Sequence, residues 1–218
     1  MISPAVEPSR PSDAEILLSR ILEKTIRRSG ALDVESLCLQ AGRKVWTVRA
    51  DVHVLSHDGN LVDGACLAVV AALRHFRKPD ASVEGEELTV FTAAEREPVP
   101  LGWLHSPLCV TFSYCAMARL DGAPDMVTVV DATWLEEQVR VASCTIGMNK
   151  HGEVCQIIKP GGDAVDAIEL LRCSGVALQK VKDMSDLLDR TLAEDASRRD
   201  KGGLISEMLA AENSRVVA

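Results

Sequence analysis

Asp51-Val52-His53-Val54-Leu55-Ser56-His57-Asp58-Gly59-Asn60 feeds straight into Leu61-Val62-Asp63-Gly64-Ala65-Cys66-Leu67-Ala68-Val69-Val70-Ala71-Ala72-Leu73. The first part alternates: Val48, Ala50, Val52 and Val54 point to one side, Arg49, Asp51 and His53 to the other, which predicts a strand over 44–55. Asp58-Gly59 is a tight turn. The apolar run after it predicts a buried helix over 61–77.

Upstream, Ser12-Asp13-Ala14-Glu15 has the form of a capping box. Ile16, Leu17, Ile21, Leu22 and Ile26 follow at helical spacing, and Gly30 ends the helix. Arg27 and Arg28 near its C-terminus suit the helix dipole. A second strand over 36–40 joins the first through Ala41-Gly42-Arg43. Downstream, a short strand over 88–91 follows the Glu84-Gly85-Glu86 turn, and 95–100 is a polar, proline-bearing connector. The pattern then restarts. Strands are predicted over 108–114 and 127–130, with a loop or hairpin insertion over 121–125 between them. Two more, over 144–148 and 154–158, flank a hairpin turn at Asn149-Lys150-His151-Gly152. Gly161-Gly162 closes the sheet. A long helix then carries Val165, Ile168, Leu171, Val176, Leu178, Val181, Leu187, Leu188 and Leu192 on its apolar face. It ends at Gly202-Gly203, and a short helix over 204–211 follows. The class is α+β with antiparallel hairpins: one lobe over 1–98, a second over 99–200, and a C-terminal helix or tail over 201–218.

Composition narrows the function. Aromatics are 3% of the 218 residues, so a surface that stacks single-stranded bases is disfavoured. The formal charge of −8 argues against a chain that neutralises phosphates unaided, so any contact with RNA is local or shared with partner chains. The seven cysteines form no C-x-x-C pair. Free, buried thiols in a reducing compartment are the expectation, with no zinc ribbon and no redox dithiol. Met1 leads into polar sequence without a signal peptide, and the longest apolar run, 65–73, is too short to span a bilayer. The expectation is a soluble intracellular protein.

Beyond the opening stretch, Cys38-Leu39-Gln40-Ala41-Gly42-Arg43-Lys44-Val45-Trp46, His75-Phe76-Arg77-Lys78-Pro79-Asp80, Glu95-Arg96-Glu97-Pro98-Val99-Pro100-Leu101, Leu135-Glu136-Glu137-Gln138-Val139 and Met148-Asn149-Lys150-His151-Gly152-Glu153-Val154 occur in order along most of the chain. Together they resemble the ribonuclease PH-like family, and within it the ring subunits of the RNA exosome. The resemblance implies a two-lobed ribonuclease PH-like fold, here without the strands that begin full-length members. It implies assembly with other ring subunits and cap subunits, RNA passing through the assembled channel, no cofactor, no membrane, and residence in the nucleus, nucleolus and cytoplasm.

Active members of that family cleave RNA with phosphate as nucleophile, which requires cations around the phosphate and a carboxylate near the leaving oxygen. In them the Asp-Gly turn is followed by Gly-Thr-Arg. After Asp58 and Gly59 this chain has Asn60, Leu61 and Val62, so Val62 stands where the phosphate-binding arginine is expected. Ser143 stands where a carboxylate is expected, and it is neither charged nor a useful acid at neutral pH. Glu137 falls at another acidic position. Each missing charge removes about 3 kcal/mol of barrier lowering if it acts like an oxyanion donor. The resemblance therefore implies a non-catalytic structural subunit with a degenerate site at Asp58, Val62, Glu137 and Ser143. The alternative is an active phosphate-dependent 3'-to-5' exoribonuclease. A metal-dependent hydrolase around His53 and His57 is disfavoured, because side chains four apart on a strand lie too far along it to share an ion. Cys109 and Cys115 beside His105 read as core cysteines, and Asp131, Glu136 and Glu137 as solvated or interface acids. Arg10, Arg198 and Arg199 are weak candidates for RNA contact, and the small Arg198-Arg199-Lys201 cluster reads as a solvated helix end.

Overall fold

The computed structural model describes residues 12–85, 87–93, 95–118 and 124–200. Arg10, Lys201, most of the 121–125 insertion and the short helix expected over 204–211 lie outside them.

Four antiparallel strands form the centre. In spatial order they are β10 (Val154–Ile158), β9 (Ala142–Met148), β7 (Leu108–Ala118) and β8 (Pro124–Val130). β7 alternates between two helical layers, as a strand buried on both faces must. Its odd positions face the N-terminal helices: Cys109 meets Thr25, and Thr111 meets Asp63. Its even positions face the C-terminal helix, where the Tyr114 hydroxyl lies 3.4 Å from the Cys173 sulfur. In β9, Cys144, Ile146 and Met148 pair with Phe112, Val110 and Leu108, so they share the second face. Phe112, Tyr114, Leu108, Ile146 and Met148 are all buried there.

The helix of the opening stretch, α2 (Leu61–His75), packs on β7 through Ala65, Cys66, Val69, Val70 and Leu73. Helix α1 (Asp13–Glu23) packs on α2 and starts with the expected capping box: Glu15 N–H donates to the Ser12 hydroxyl, and Ser12 N–H to the Glu15 carboxylate. Ile21 and Ile26 are buried as expected, whereas Ile16 and Leu17 are exposed. α1 continues as a π-helical turn, Lys24–Arg28. A side chain from the sheet meets this turn: the Gln156 amide from β10 donates to the Ile21 carbonyl and to the buried Thr25 hydroxyl.

Two readings are corrected. The strand expected over 44–55 is regular only at β2 (Lys44–Val45), which pairs with β1 (Cys38–Gln40) after a 3-10 turn, Glu35–Leu37. From Trp46 to Asn60 the chain is irregular and mostly exposed, with no ladder among the described residues. Alternation marks a strand only where another strand supplies its hydrogen bonds. The second correction concerns the long helix, α4 (Ala167–Asp200). Its sheet-facing side is Cys173, Ala177, Val181, Ser185 and Leu188, while Ile168 and Leu171 are about three-quarters exposed. Val181 and Leu188 of the expected face are buried and Val165, Leu178 and Leu192 pack against the core, but the expected face missed Cys173, Ala177 and Ser185, whose small side chains let the helix approach the sheet. The connector over 95–100 also contains β6 (Val99–Pro100), paired with β3 (Arg77–Lys78). The strand expected over 88–91 is β5 (Glu87–Val90), whose partner β4 (Ala81–Glu84) was not foreseen.

Candidate functional site

The Asp58-Gly59-Asn60 turn closes against the segment that follows β8. Asp131 ends that strand in the left-handed region (φ 58°), and Asn60 is left-handed too (φ 47°). Asn and Asp tolerate that conformation better than other residues with a Cβ. The Asn60 side-chain amide donates to Asp131 Oδ1 at 2.8 Å. The Asn60 backbone N–H donates to Glu137 Oε1 at 3.1 Å, and the Trp134 N–H donates to the Asp58 carbonyl at 3.0 Å. Gly59 (φ 94°) lies so close to Ala132 and Thr133 that a Cβ there would meet the Ala132 carbonyl oxygen at 2.3 Å.

Glu137 sits on α3 (Trp134–Val139), a six-residue helix closed by a Thr133/Glu136 capping box. Its carboxylate also pairs with Arg140 at 3.3 Å, and only 21% of the side chain is exposed. Of the expected solvated or interface acid, the solvated alternative is corrected: its surroundings here are the Asn60 amide and the Arg140 guanidinium of the same chain. Glu136, by contrast, is exposed, and the capping hydrogen bonds from Thr133 hold its carboxyl below the ordinary range.

One turn into α2, Asp63 faces the sheet. Its two oxygens accept the Thr111 N–H (2.8 Å) and the Thr111 hydroxyl (2.7 Å), and the Thr111 and Thr145 hydroxyls lie 3.0 Å apart. Burial raises its pKa to about 6 in spite of these bonds. Ser143 pairs with Ser113 on the same face of the sheet, two positions from Thr145. Val62 is half-buried and packs against the core.

The Asp58 carbonyl and the Glu137 carboxylate thus meet the turn before α2, Val62 lies in the first turn of that helix, and Ser143 lies on the sheet two positions from Thr145. The chemistry they offer is poor. Val62 supplies no hydrogen bond, Ser143 no charge, and the cation beside Glu137 among the described residues, Arg140, is paired with it. Two carboxylates, Asp131 and Glu137, stand against the Asn60 turn. Sequence reasoning missed Asn60, Asp63, Thr111 and Thr145. A lone carboxylate inside an otherwise apolar helix was the available signal for Asp63.

The other candidates lie elsewhere. His57 Nδ1 accepts the Gly59 N–H at 3.4 Å, and Asp51 pairs with Arg49 at 2.9 Å on the surface. Cys109 is buried beside Thr25, and His105 Nε2 lies 3.0 Å from the Ser29 carbonyl oxygen. Among the described residues no three metal-ligating side chains converge, and no helix is long and apolar enough to cross a membrane. Arg198 is exposed near the end of α4, with Arg199 next in the helix.

The model of the 3' exoribonuclease family matches in two parts, domain 1 over residues 1–79 and domain 2 over residues 105–180. The chain is 47% identical to exosome complex component rrp45 of Schizosaccharomyces pombe over 90% of its own length and 65% of the relative's. It is 45% identical to RRP45 of Saccharomyces cerevisiae (93% and 67%) and 41% identical to RRP45 of Homo sapiens (100% and 48%). It therefore spans about half to two thirds of the length of these curated relatives. Among solved structures it is similar to a chain of the Archaeoglobus fulgidus exosome with RNA bound to the active site, with a TM-score of 0.66 and 27% identity over 85% of this chain and 65% of that one. An archaeal exosome core gives a TM-score of 0.64 at 27% identity, covering 82% and 65%. The fold is the ribonuclease PH-like fold.

Proposed function

The chain belongs to the 3' exoribonuclease family, and from that premise we propose that it is a non-catalytic ring subunit of an RNA exosome. Its work is to hold neighbouring ring and cap subunits in place around a channel through which RNA reaches a separate nuclease, in nucleus, nucleolus and cytoplasm. The observation that carries this reading is the site at the start of α2. Val62 replaces the expected arginine, Ser143 replaces the expected acid, and the Asn60 amide is already taken by Glu137. Phosphorolysis needs positive charge around the entering phosphate and an acid at the leaving oxygen; the guanidinium beside this turn, Arg140, is paired with Glu137, and Ser143 supplies no charge.

The surface supports a packing role. Apolar side chains stand exposed at many points of the described surface. Among them, Trp134, Leu135 and Val139 project from α3, while Met126 and Val127 of β8 and Val176 of α4 line a groove of about 340 Å³ between strand and helix. Clustered exposed apolar groups mark interaction surfaces, and an obligate subunit interface is large and apolar.

Two measurements test the proposal. Purified chain incubated with single-stranded RNA and inorganic phosphate is expected to release no nucleoside diphosphate. Release that disappears in Asp58→Ala would establish the alternative, an active phosphate-dependent exoribonuclease. Affinity purification from cells is expected to recover the other ring subunits by mass spectrometry, and their absence would remove the scaffold role.

A further inference from the structure

We propose that Glu137 is a latch that locks the Asp58–Asn60 turn and helix α3 into one unit, so that the two segments open together. This goes beyond the absence of catalysis and does not depend on it.

Three hydrogen bonds cross between the segments: Asn60 N–H to Glu137, the Asn60 side chain to Asp131, and Trp134 N–H to the Asp58 carbonyl. Two of them end on the left-handed residues, Asn60 and Asp131. Backbone in that region persists only where its surroundings over-determine it, and here each strained residue is held by the other. Helix α3 needs the same support from the other side. It has six residues and buries none of them, and a helix that short does not hold its shape in water. Its capping box organises its first turn, and the contacts from 58–60 and the neighbouring strand β7 tie it to the rest of the fold. Glu137 is the side chain that joins the two, beside the backbone bond from Trp134. It accepts from the turn, it belongs to the helix, and Arg140 one turn on fixes its carboxylate. The latch therefore sets where the exposed Trp134, Leu135 and Val139 stand, which is what a docking partner would meet.

Amide hydrogen exchange on the full chain reads this directly. In Glu137→Ala, peptides covering 58–63 and 134–140 are expected to exchange about tenfold faster or more, with matching rates, while the β7–β9 core keeps its protection. Glu137→Gln retains an oxygen that accepts the Asn60 N–H and is expected to stay close to wild type at 58–63. Arg140→Met removes only the partner of Glu137, so it reads the latch if Glu137→Ala does not fold. In that variant a smaller acceleration, shared by both segments, is expected. Faster exchange confined to 134–140, or no change in either segment, overturns the proposal. Since the readout is exchange, a failed latch and an unexpected nuclease activity are separate results.

Discussion

Gly59→Ala is expected to destabilise the fold by about 3 kcal/mol. Two costs combine. At φ 94° an alanine pays about 1 kcal/mol for a backbone conformation that only glycine adopts freely. The new Cβ would also lie 2.3 Å from the Ala132 oxygen, 2.6 Å from the Thr133 carbonyl carbon and 2.7 Å from the Trp134 nitrogen. All three are backbone atoms, so no rotamer change relieves the overlap, and forced overpacking of this kind costs a further 1–3 kcal/mol or so. Gly42→Ala is the control. Gly42 has φ 72° with nothing within 4 Å of its Cβ position, so only the conformational cost of about 1 kcal/mol applies. Urea denaturation of both variants should separate them by about 2 kcal/mol. Equal losses would show that the close approach of 59 to 132–134 does not exist in solution.

The second large effect is pH-dependent and belongs to Asp63. Its folded-state pKa is about 6 against an ordinary 3.8, chiefly because the carboxyl is buried. Below 3.8 the group is protonated in both states and costs nothing. Between 3.8 and 6 the folded chain holds a proton that the unfolded chain has released, so stability falls as pH rises. Above 6 the full cost of the buried charge is present, roughly 3 kcal/mol at 1.36 kcal/mol per pKa unit. Asp63→Asn removes the titration. Thr111 keeps an acceptor for its N–H, and its hydroxyl can turn to accept from the new amide. The stability difference between wild type and Asp63→Asn is therefore expected to change by roughly 2–2.5 kcal/mol between pH 4 and pH 7, in favour of the variant at the higher pH. Denaturant midpoints across that range measure it, and parallel profiles would refute it. Asp63→Ala behaves differently: the Thr111 N–H loses its acceptor, at a cost of about 1–3 kcal/mol at every pH.

Much of the architecture was legible before any coordinates. The helix after Asp58-Gly59, the capping box at Ser12 and the 149–152 hairpin follow from local chemistry: turn residues, a side-chain cap and strand alternation. What failed was whatever depends on a neighbour. The residues around Val52 alternate as a strand should, but alternation does not supply a ladder partner. The buried side of α4 was chosen by Cys173, Ala177 and Ser185, because small side chains bring the helix axis close to the sheet, and that preference is invisible to a hydropathy pattern. The same limit explains the site. The absence of an arginine at Val62 and of an acid at Ser143 can be read from residue identity. That Glu137 would reach the Asn60 amide, 77 positions away, could not, and neither could the π-helical turn of α1 that Gln156 meets from across the sheet.

The irregular stretch after Lys44–Val45 has a practical consequence. It is mostly exposed and carries no ladder among the described residues, so when two free copies collide its backbone is open to pairing between them. Loss of the lone chain on warming should then follow second-order kinetics and leave precipitate behind. Shelf life would be governed by how often molecules meet, and dilution or a bound neighbour would extend it more than any improvement to the core.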